Sequence, residues 1–585
     1  MGEGTPGKPG TFTFAPDPSD TDIKNYQWRL LTMPADATRQ VSGSTVVVND
    51  VMPMLAGEQV LSVRAGDLDT AGRARFGPWA EFAFKVAAPE GPVGRWHFDD
   101  AGPGSTSVTA TDSATAGVRH HATLRPPTTP GTGAYWSVKG RRGTDDYSLG
   151  LNDDTGDPAQ ETAYASTTGP VVNTKDSFTL SAWALLADRQ KTGTIASAPG
   201  TYGSAFQLSY SGTAKKWVFA RVAADVANPV MVQSSAMASN PAGEVWTHLA
   251  GVFDTYGDTD KTNDTIQLFV NGRPQGQPVT LSAANPAYTP FTSTKDMMIG
   301  RSPAGEYFTG RVDELTLWQS ALTPDLVRQD SAALSPEGTP ATELVGYWDT
   351  ASAAAGGVEE WTDYASLGMT ISPTGAVARP EENELDLDGV TGYLSTGGPV
   401  VDETGSFTVT ADVKVDKALM ETKPIGYRGQ VFSQATSQGG ESSWALWIEK
   451  IDPDGDGIAS YYWKFGRTGT GANGAVTGRA QVPSEFEAEL GTWVQVTGVH
   501  DANEAADGGF GSTHLYVNQS EQPSAGEASF TTPVQGTGAL TWGRGSSGGQ
   551  TGHYLPGVLD EVRVWTGAMT LDQVITKVMG DPGAE

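Results

Sequence analysis

One short stretch occurs twice and sets the plan of the chain. Residues 310–323 read GRVDELTLWQSALT and residues 557–570 read GVLDEVRVWTGAMT. The two Asp-Glu pairs lie 247 residues apart (560 − 313). Strand alternation puts Asp313, Leu315 and Leu317 on one face and Glu314, Thr316 and Trp318 on the other. Asp560, Val562 and Val564 match the first set. An aspartate is therefore expected on an aliphatic, buried face. A carboxylate stays charged there only with hydrogen-bond donors or a cation around it.

The duplication runs well beyond that stretch. TGPVVNTKDSFTLSAW (168–183) matches GGPVVDETGSFTVTAD (397–412), and KWVFAR (216–221) matches YWKFGR (462–467). WTHLAGVFD (246–254), LFVNG (268–272) and MIGRS (298–302) match WVQVTGVHD (493–501), LYVNQ (515–519) and TWGRG (541–545). A period this long marks duplicated domains, not a solenoid. Residues 91–330 and 344–579 are the two copies, joined by the linker SAALSPEGTPATE at 331–343. Residues 1–10 read as a linker start with no hydrophobic signal core, as in a fragment of a longer protein. Residues 11–89 form a smaller β unit, in which Tyr26, Trp28 and Leu30 alternate with Gln27 and Arg29. Gly 72 and Pro 36 suit strands joined by many turns. Thr323 and Thr570, each with an acid two residues on, look like caps of a short helix after each copy.

The charge balance excludes some partners. A net charge of −30 repels nucleic-acid phosphates and anionic membranes. No apolar run is long enough to enter and span a bilayer. Cysteine is absent, so disulfides, thiolate metal sites and a cysteine nucleophile are excluded.

The ordered motifs resemble the LamG-like jelly-roll family of concanavalin-like sandwiches. They begin with Arg95-Trp96-His97-Phe98-Asp99 and a turn at Asp112 or, in the second copy, Asp363. LDLDG (385–389), the FT, WTH and VNG strands and the closing Asp-Glu strand follow. The second copy departs from the pattern at GYWDTASAA and at Gln519, and the first reads LGLND in place of L-x-F-D-G. Residues 11–89 resemble a fibronectin type III or immunoglobulin-like spacer. The expected fold is all-β: a small Ig/fibronectin-like sandwich followed by two concanavalin-like jelly-roll sandwiches, as in bacterial secreted surface proteins. The resemblance implies a non-catalytic, secreted or cell-surface module for recognition or adhesion, with glycan or protein ligands. It also leaves room for partner domains of a larger parent chain. Fold alone does not dictate function, and a structural spacer or assembly arm is the alternative.

Several residues are candidates for a site. Related jelly rolls place a structural calcium beside the closing strand, which would make Asp313 and Asp560 its side-chain ligands. Oxygen ligation in so acidic a chain suits calcium rather than zinc. An aspartate capped by backbone N–H groups, with no metal, is the other reading. Asp452, Asp454 and Asp456 alternate before Gly457 like half an EF-hand loop, but Trp463 stands where the closing glutamate belongs. A plain turn in a lengthened hairpin is the favoured reading there. Glu384, Asp386 and Asp388 have the E-x-D-x-E spacing of lichenase-like glycosidases, with Asp in the last place. The family's L-x-F-D-G strand explains them without catalysis, so a polysaccharide-cleaving enzyme ranks last. Trp217 and Arg221, and Trp463 and Arg467, share strand faces and are candidates to stack on sugar, while Phe219 and Phe465 are expected in the core. Trp183 points away from Phe178 and Leu180 and is the better surface candidate.

Overall fold

A computed structural model gives the fold. It describes residues 9–578 except 31–37, 54–56, 70–71, 87–90, 115–117, 127–132, 143–145, 154, 156, 238–240, 242, 335–337, 349–360, 363–369, 379–383, 437–439, 471–475, 505–510 and 524–531. Asp363 of the turn motif lies outside the described residues, as do parts of both linkers.

The first unit is a small two-sheet body. Strand Gly10–Phe14 pairs with Val46–Val51, and Asn25–Leu30 lies between Arg39–Ser42 and Gly57–Leu68 in a second sheet. The alternation in Asn25–Leu30 does what its spelling implies: Tyr26, Trp28 and Leu30 are buried and Gln27 and Arg29 half-exposed. Phe14, Val48, Val51 and Leu61 complete that core.

Each copy of the duplication is a sandwich of two antiparallel sheets. In the first, one sheet runs Ala134–Ser137, Ser148–Leu151, Gly310–Trp318, Phe178–Leu186, Trp246–Asp254, Thr265–Val270, with Gly94–Trp96 also on the closing strand Gly310–Trp318. The facing sheet runs Met231–Ser235, Lys216–Val222, Ser204–Ser211, Gly193–Pro199, Met298–Ile299, Tyr164–Thr167, Ala122–Arg125. The second copy repeats this order, with Pro556–Thr566 as closing strand between Leu385–Asp388 and Phe407–Val415. Apolar side chains of both sheets interdigitate between them, as a sandwich requires. Trp96, Phe178, Phe206, Phe219 and Leu315 do so in copy one; Trp348, Phe407, Trp444, Phe465 and Val562 do so in copy two.

The helices form where the cap residues predict. Thr323 accepts from the Leu326 amide ahead of helix Pro324–Ser331, and Thr570 forms a capping box with Gln573 ahead of Leu571–Lys577. Val327 packs on Val252 and Phe269, and Val574 packs on Val499 and Trp565. The first helix and the linker cover the outer face of their sheet. Strand Phe178–Leu186 is consequently buried along its whole length, with no alternation.

The sandwiches touch directly. Thr247 Oγ1 donates to Asp402 Oδ2 at 2.9 Å, Asn271 Nδ2 to Thr404 Oγ1 at 2.6 Å, and Ser331 Oγ to Asn503 Oδ1 at 2.9 Å. Among the described residues, no helix is long and apolar enough to cross a membrane.

Candidate binding site

The repeated Asp-Glu pair is a β-bulge in both copies. Along the neighbouring strand, Trp183 pairs with Asp313 and Ser181 with Thr316, so two residues of the closing strand sit opposite Ala182. Asp412 and Thr410 frame the same extra residue at Asp560 and Arg563. The residue that absorbs it is the glutamate, at φ 49° in Glu314 and 51° in Glu561. Bulges of this kind shift strand parity. Val312, Leu315 and Leu317 therefore enter the core, and Asp313 does not share their face. The expectation from simple alternation fails by that one residue. Each aspartate caps its own bulge: the Glu314 amide donates to Asp313 Oδ1 at 2.7 Å and the Glu561 amide to Asp560 Oδ1 at 2.8 Å.

In copy one the bulge lies under a charged cover. Asp313 is fully buried and its second oxygen accepts from the Arg141 amide at 2.8 Å. Glu314 gathers two guanidinium groups and an imidazole: Arg142 Nε at 3.3 Å, Arg95 at 3.4 Å and His97 Nδ1 at 2.7 Å. Burial pushes its carboxyl up, but the His97 hydrogen bond and these charges more than offset that and leave it below the ordinary range. At Asp313 and Asp146 the amides they accept do not offset burial. Burial holds Asp313 well above the usual range and lifts Asp146 to about 7, with neighbouring acids adding to both shifts. Arg141 is buried with its guanidinium 4.0 Å over the Trp183 ring.

Two cavities meet at Trp183. One, of about 390 Å³, is lined by Arg95, Arg142, Glu314, Trp318 and Asp330. The other, of about 400 Å³, lies between the sandwiches and is lined by Arg141, Asn271, Ser331, Asp501, Asn503 and Glu504. Trp183 borders both, although only 5% of it is exposed.

The family model described as the Concanavalin A-like lectin/glucanases superfamily matches residues 159–328 and 388–575, together more than half of the sequence. The chain belongs to that superfamily. No curated protein matches it. Solved structures with a similar fold include domain 4 of AbnA, a GH43 extracellular arabinanase from Geobacillus stearothermophilus, in complex with arabinotriose. It is 15% identical, covers 41% of this chain and 99% of that one, and has a TM-score of 0.26. The binding domain of botulinum neurotoxin DC in complex with rat synaptotagmin II is 10% identical, covering 82% and 97%, TM-score 0.32. A SAP-like pentraxin from Limulus polyphemus is 18% identical, covering 38% and 84%, TM-score 0.22. Scores this low carry no argument about ligand.

Membership in the superfamily does not bring every expected residue to a surface. Trp217, Arg221, Trp463 and Arg467 are buried, so none offers a face to a sugar. Their strand faces point inward. Arg221 stacks 4.0 Å from the Phe253 ring centroid and donates to the Thr174 carbonyl, while Arg467 bonds His500 at 2.8 Å. Trp183 does leave the main core, but the linker roofs it, so it edges the cavities and presents no open platform. Phe219 and Phe465 are fully buried.

The acidic motifs serve turns. Asp452 accepts from the Gly455 and Gly457 amides at 2.8 and 3.0 Å, and Asp456 from Ile458 at 2.8 Å; Asp454 sits on the same exposed hairpin tip. Asp388 accepts from the amides of Val390, Thr391 and Gly392, and its carboxyl stays at about 2 because these bonds outweigh burial. Asp386 lies on the same strand, in the sheet that carries the bulge, and Glu384 immediately precedes that strand. Asp112 likewise caps the Arg95, Ala114 and His120 amides. Among the described residues, no group of three or more His, Asp or Glu side chains is placed to hold a metal ion.

Proposed function

We propose that this chain is a non-catalytic extracellular recognition module, binding glycans first and proteins second, with a fibronectin-like spacer ahead of two jelly rolls. The observation that carries this reading is the pair of cavities at Trp183. Ligand sites favour junctions between domains, with a few polar groups converging on an apolar wall. Here an indole edge meets guanidinium, amide, hydroxyl and carboxylate groups from both sandwiches. That mixture suits the hydroxyls and C–H faces of a saccharide. A glycan array and a panel of extracellular protein ligands test it on the whole chain. Binding weakened by Asn503→Ala and Glu504→Gln supports it; silence on both panels ends it.

The second reading, a rigid arm of a larger surface protein, is favoured by the side-chain bonds joining the two sandwiches. Catalysis through Glu384, Asp386 and Asp388 has little support, since the Asp388 oxygens are committed to a turn. A structural calcium beside Asp313 or Asp560 is supported by the repeated carboxylate and opposed by the amides each already accepts. Melting with EDTA, then with added calcium, decides it: a fall and recovery keeps calcium, and no change removes it.

A further inference from the structure

We propose that each jelly roll carries a subsite for a carboxylated sugar, formed by an arginine over one tyrosine with a second tyrosine beside that ring: Tyr164, Arg301 and Tyr307 in the first, Tyr393, Arg544 and Tyr554 in the second. It rests on the recognition reading and narrows its ligand.

The two trios occupy equivalent places. Tyr164 and Tyr393 begin matching strands, and the core neighbours Ala165 and Leu394 turn both rings to the outer face of the sheet. This is the sheet that does not carry the bulge. Arg301 and Arg544 each follow a left-handed glycine, Gly300 at φ 90° and Gly543 at φ 74°. A side chain at either glycine would strike the equivalent leucines, Leu151 at 2.5 Å and Leu387 at 2.3 Å. The turn is thus fixed by close packing, and it delivers the next residue, arginine, onto the tyrosine. Tyr307 and Tyr554 then lead into the closing strands at the same spacing ahead of their Asp-Glu pairs.

The geometry repeats as closely as the sequence. The Arg301 guanidinium lies 4.7 Å from the Tyr164 ring centroid and 5.0 Å from that of Tyr307, with the rings 6.4 Å apart. Arg544 lies 4.1 Å from Tyr393, whose ring is 6.3 Å from Tyr554. The ring planes meet at 56° and 51°. All six side chains are half-exposed.

The two arginines differ from those that this acidic chain has already paired. Nine others among the described residues form an ion pair with a carboxylate. Arg301 and Arg544 form none among the described residues. A planar guanidinium is built to take a carboxylate through two parallel bonds. Flanking tyrosines add apolar area for a ring's C–H face. Ser166 and Ser395, two residues beyond the first tyrosines on the same face, place a hydroxyl nearby. The net charge of −30 opposes an acid at long range, so its recognition here rests on the local fork of each guanidinium.

Calorimetry on the whole chain tests this. The probes are tetragalacturonate, a hyaluronan hexamer and sialyllactose, each against its uncharged counterpart. The expected result is two sites per chain for an acidic probe, at least tenfold weaker binding of the uncharged one, and loss of one site in each of Arg301→Ala and Arg544→Ala. Arg301→Lys and Arg544→Lys keep the charge and the fold and lose the fork. They should weaken their own site alone, which decides the matter if an alanine variant does not fold. Saccharide binding that ignores all four substitutions, or does not prefer the acid, overturns the inference and leaves recognition standing. No binding to any saccharide or protein removes both.

Discussion

The two jelly rolls keep one backbone device and surround it differently. Both closing strands bulge at Asp-Glu, with the glutamate left-handed and the aspartate capping it. In copy one Asp313 is sealed and Glu314 draws two guanidinium groups and an imidazole from other segments. In copy two Asp560 is half-exposed, and Glu561 pairs with Arg563 of its own strand. The arginine has crossed a register pair: Arg95 faces Thr316 in the first, whereas Tyr347 faces Arg563 in the second. The partner of the aspartate changes too, from Trp183 to Asp412. Backbone geometry survives duplication because every strand register depends on it. Side chains outside the core are free to trade places.

The largest difference to probe is a buried acid that only one copy has. Thr174 of the first copy stands where the second has Glu403. Thr174 is satisfied by the Phe291 carbonyl and the Ser293 amide. Glu403 is buried against Gln434 and the Gly536 amide, and burial raises its carboxyl to about 8 even with Arg467 nearby. A raised carboxyl favours folding below its unfolded value, and that contribution is lost as pH rises to the folded value. Jelly roll 2 should therefore lose on the order of 5 kcal/mol between about pH 4.5 and 8, following the usual 1.4 kcal/mol per unit. Glu403→Gln should flatten that slope in jelly roll 2 and leave untouched the slope that Asp146 and Asp313 give jelly roll 1. Calorimetric melts across this pH range, with each sandwich followed as its own transition, measure it; a slope in jelly roll 2 that Glu403→Gln leaves unchanged would dissolve the contrast.

The bulges themselves come next. Asp313→Ala strands two amide donors in a buried place, at a cost of about 3 kcal/mol. Asp560→Ala removes the bond from the Glu561 amide at a half-exposed site, where water can replace it, for about 1 kcal/mol. Urea unfolding resolved by sandwich compares them. Equal losses would mean that the cover over Asp313 is energetically irrelevant.

How much of this could be read beforehand follows from what each residue answers to. The sandwich was legible because strand periodicity and turn residues report local backbone choices, and both helices start at the threonines that cap them. The bulge was not, since Glu314 carries no mark of φ 49° that alternation could detect. That one extra residue moved Asp313 off the core face. Burial was misjudged at Arg221 and Arg467 because a charge reads as surface until the Phe253 ring is packed against the one and a ring nitrogen of His500 is hydrogen-bonded to the other. Arg141 and Arg142 were overlooked, although adjacent arginines are rare in so acidic a chain. The matched arginines of MIGRS and TWGRG signalled the tyrosine trios; what was missing was the fold, which brings in Tyr164 and Tyr393 from a distant strand.

The hairpin tips give the finest version of the contrast. Asn271-Gly272 and Asn518-Gln519 both turn with two left-handed residues, at φ 48° and 74° in one and 47° and 65° in the other. Glycine takes this conformation without strain, whereas glutamine is opposed by its Cβ. In copy one the tip is wedged against its terminal helix: a Cβ on Gly272 would sit 2.5 Å from Ser331 Oγ and 3.0 Å from Arg328 Cα. The same helix end reaches Asn503 of the second sandwich, so crowding here is felt across the joint. Gly272→Ala should therefore cost about 2 kcal/mol from strain and displacement together. Gln519 is half-exposed and already accommodates a side chain at this place. Gln519→Gly should raise stability by about 0.5 kcal/mol, relief of strain being partly offset by a more flexible unfolded chain. Melts of the two variants should move in opposite directions. A loss at Gln519→Gly would show that its side chain holds something the backbone alone does not reveal.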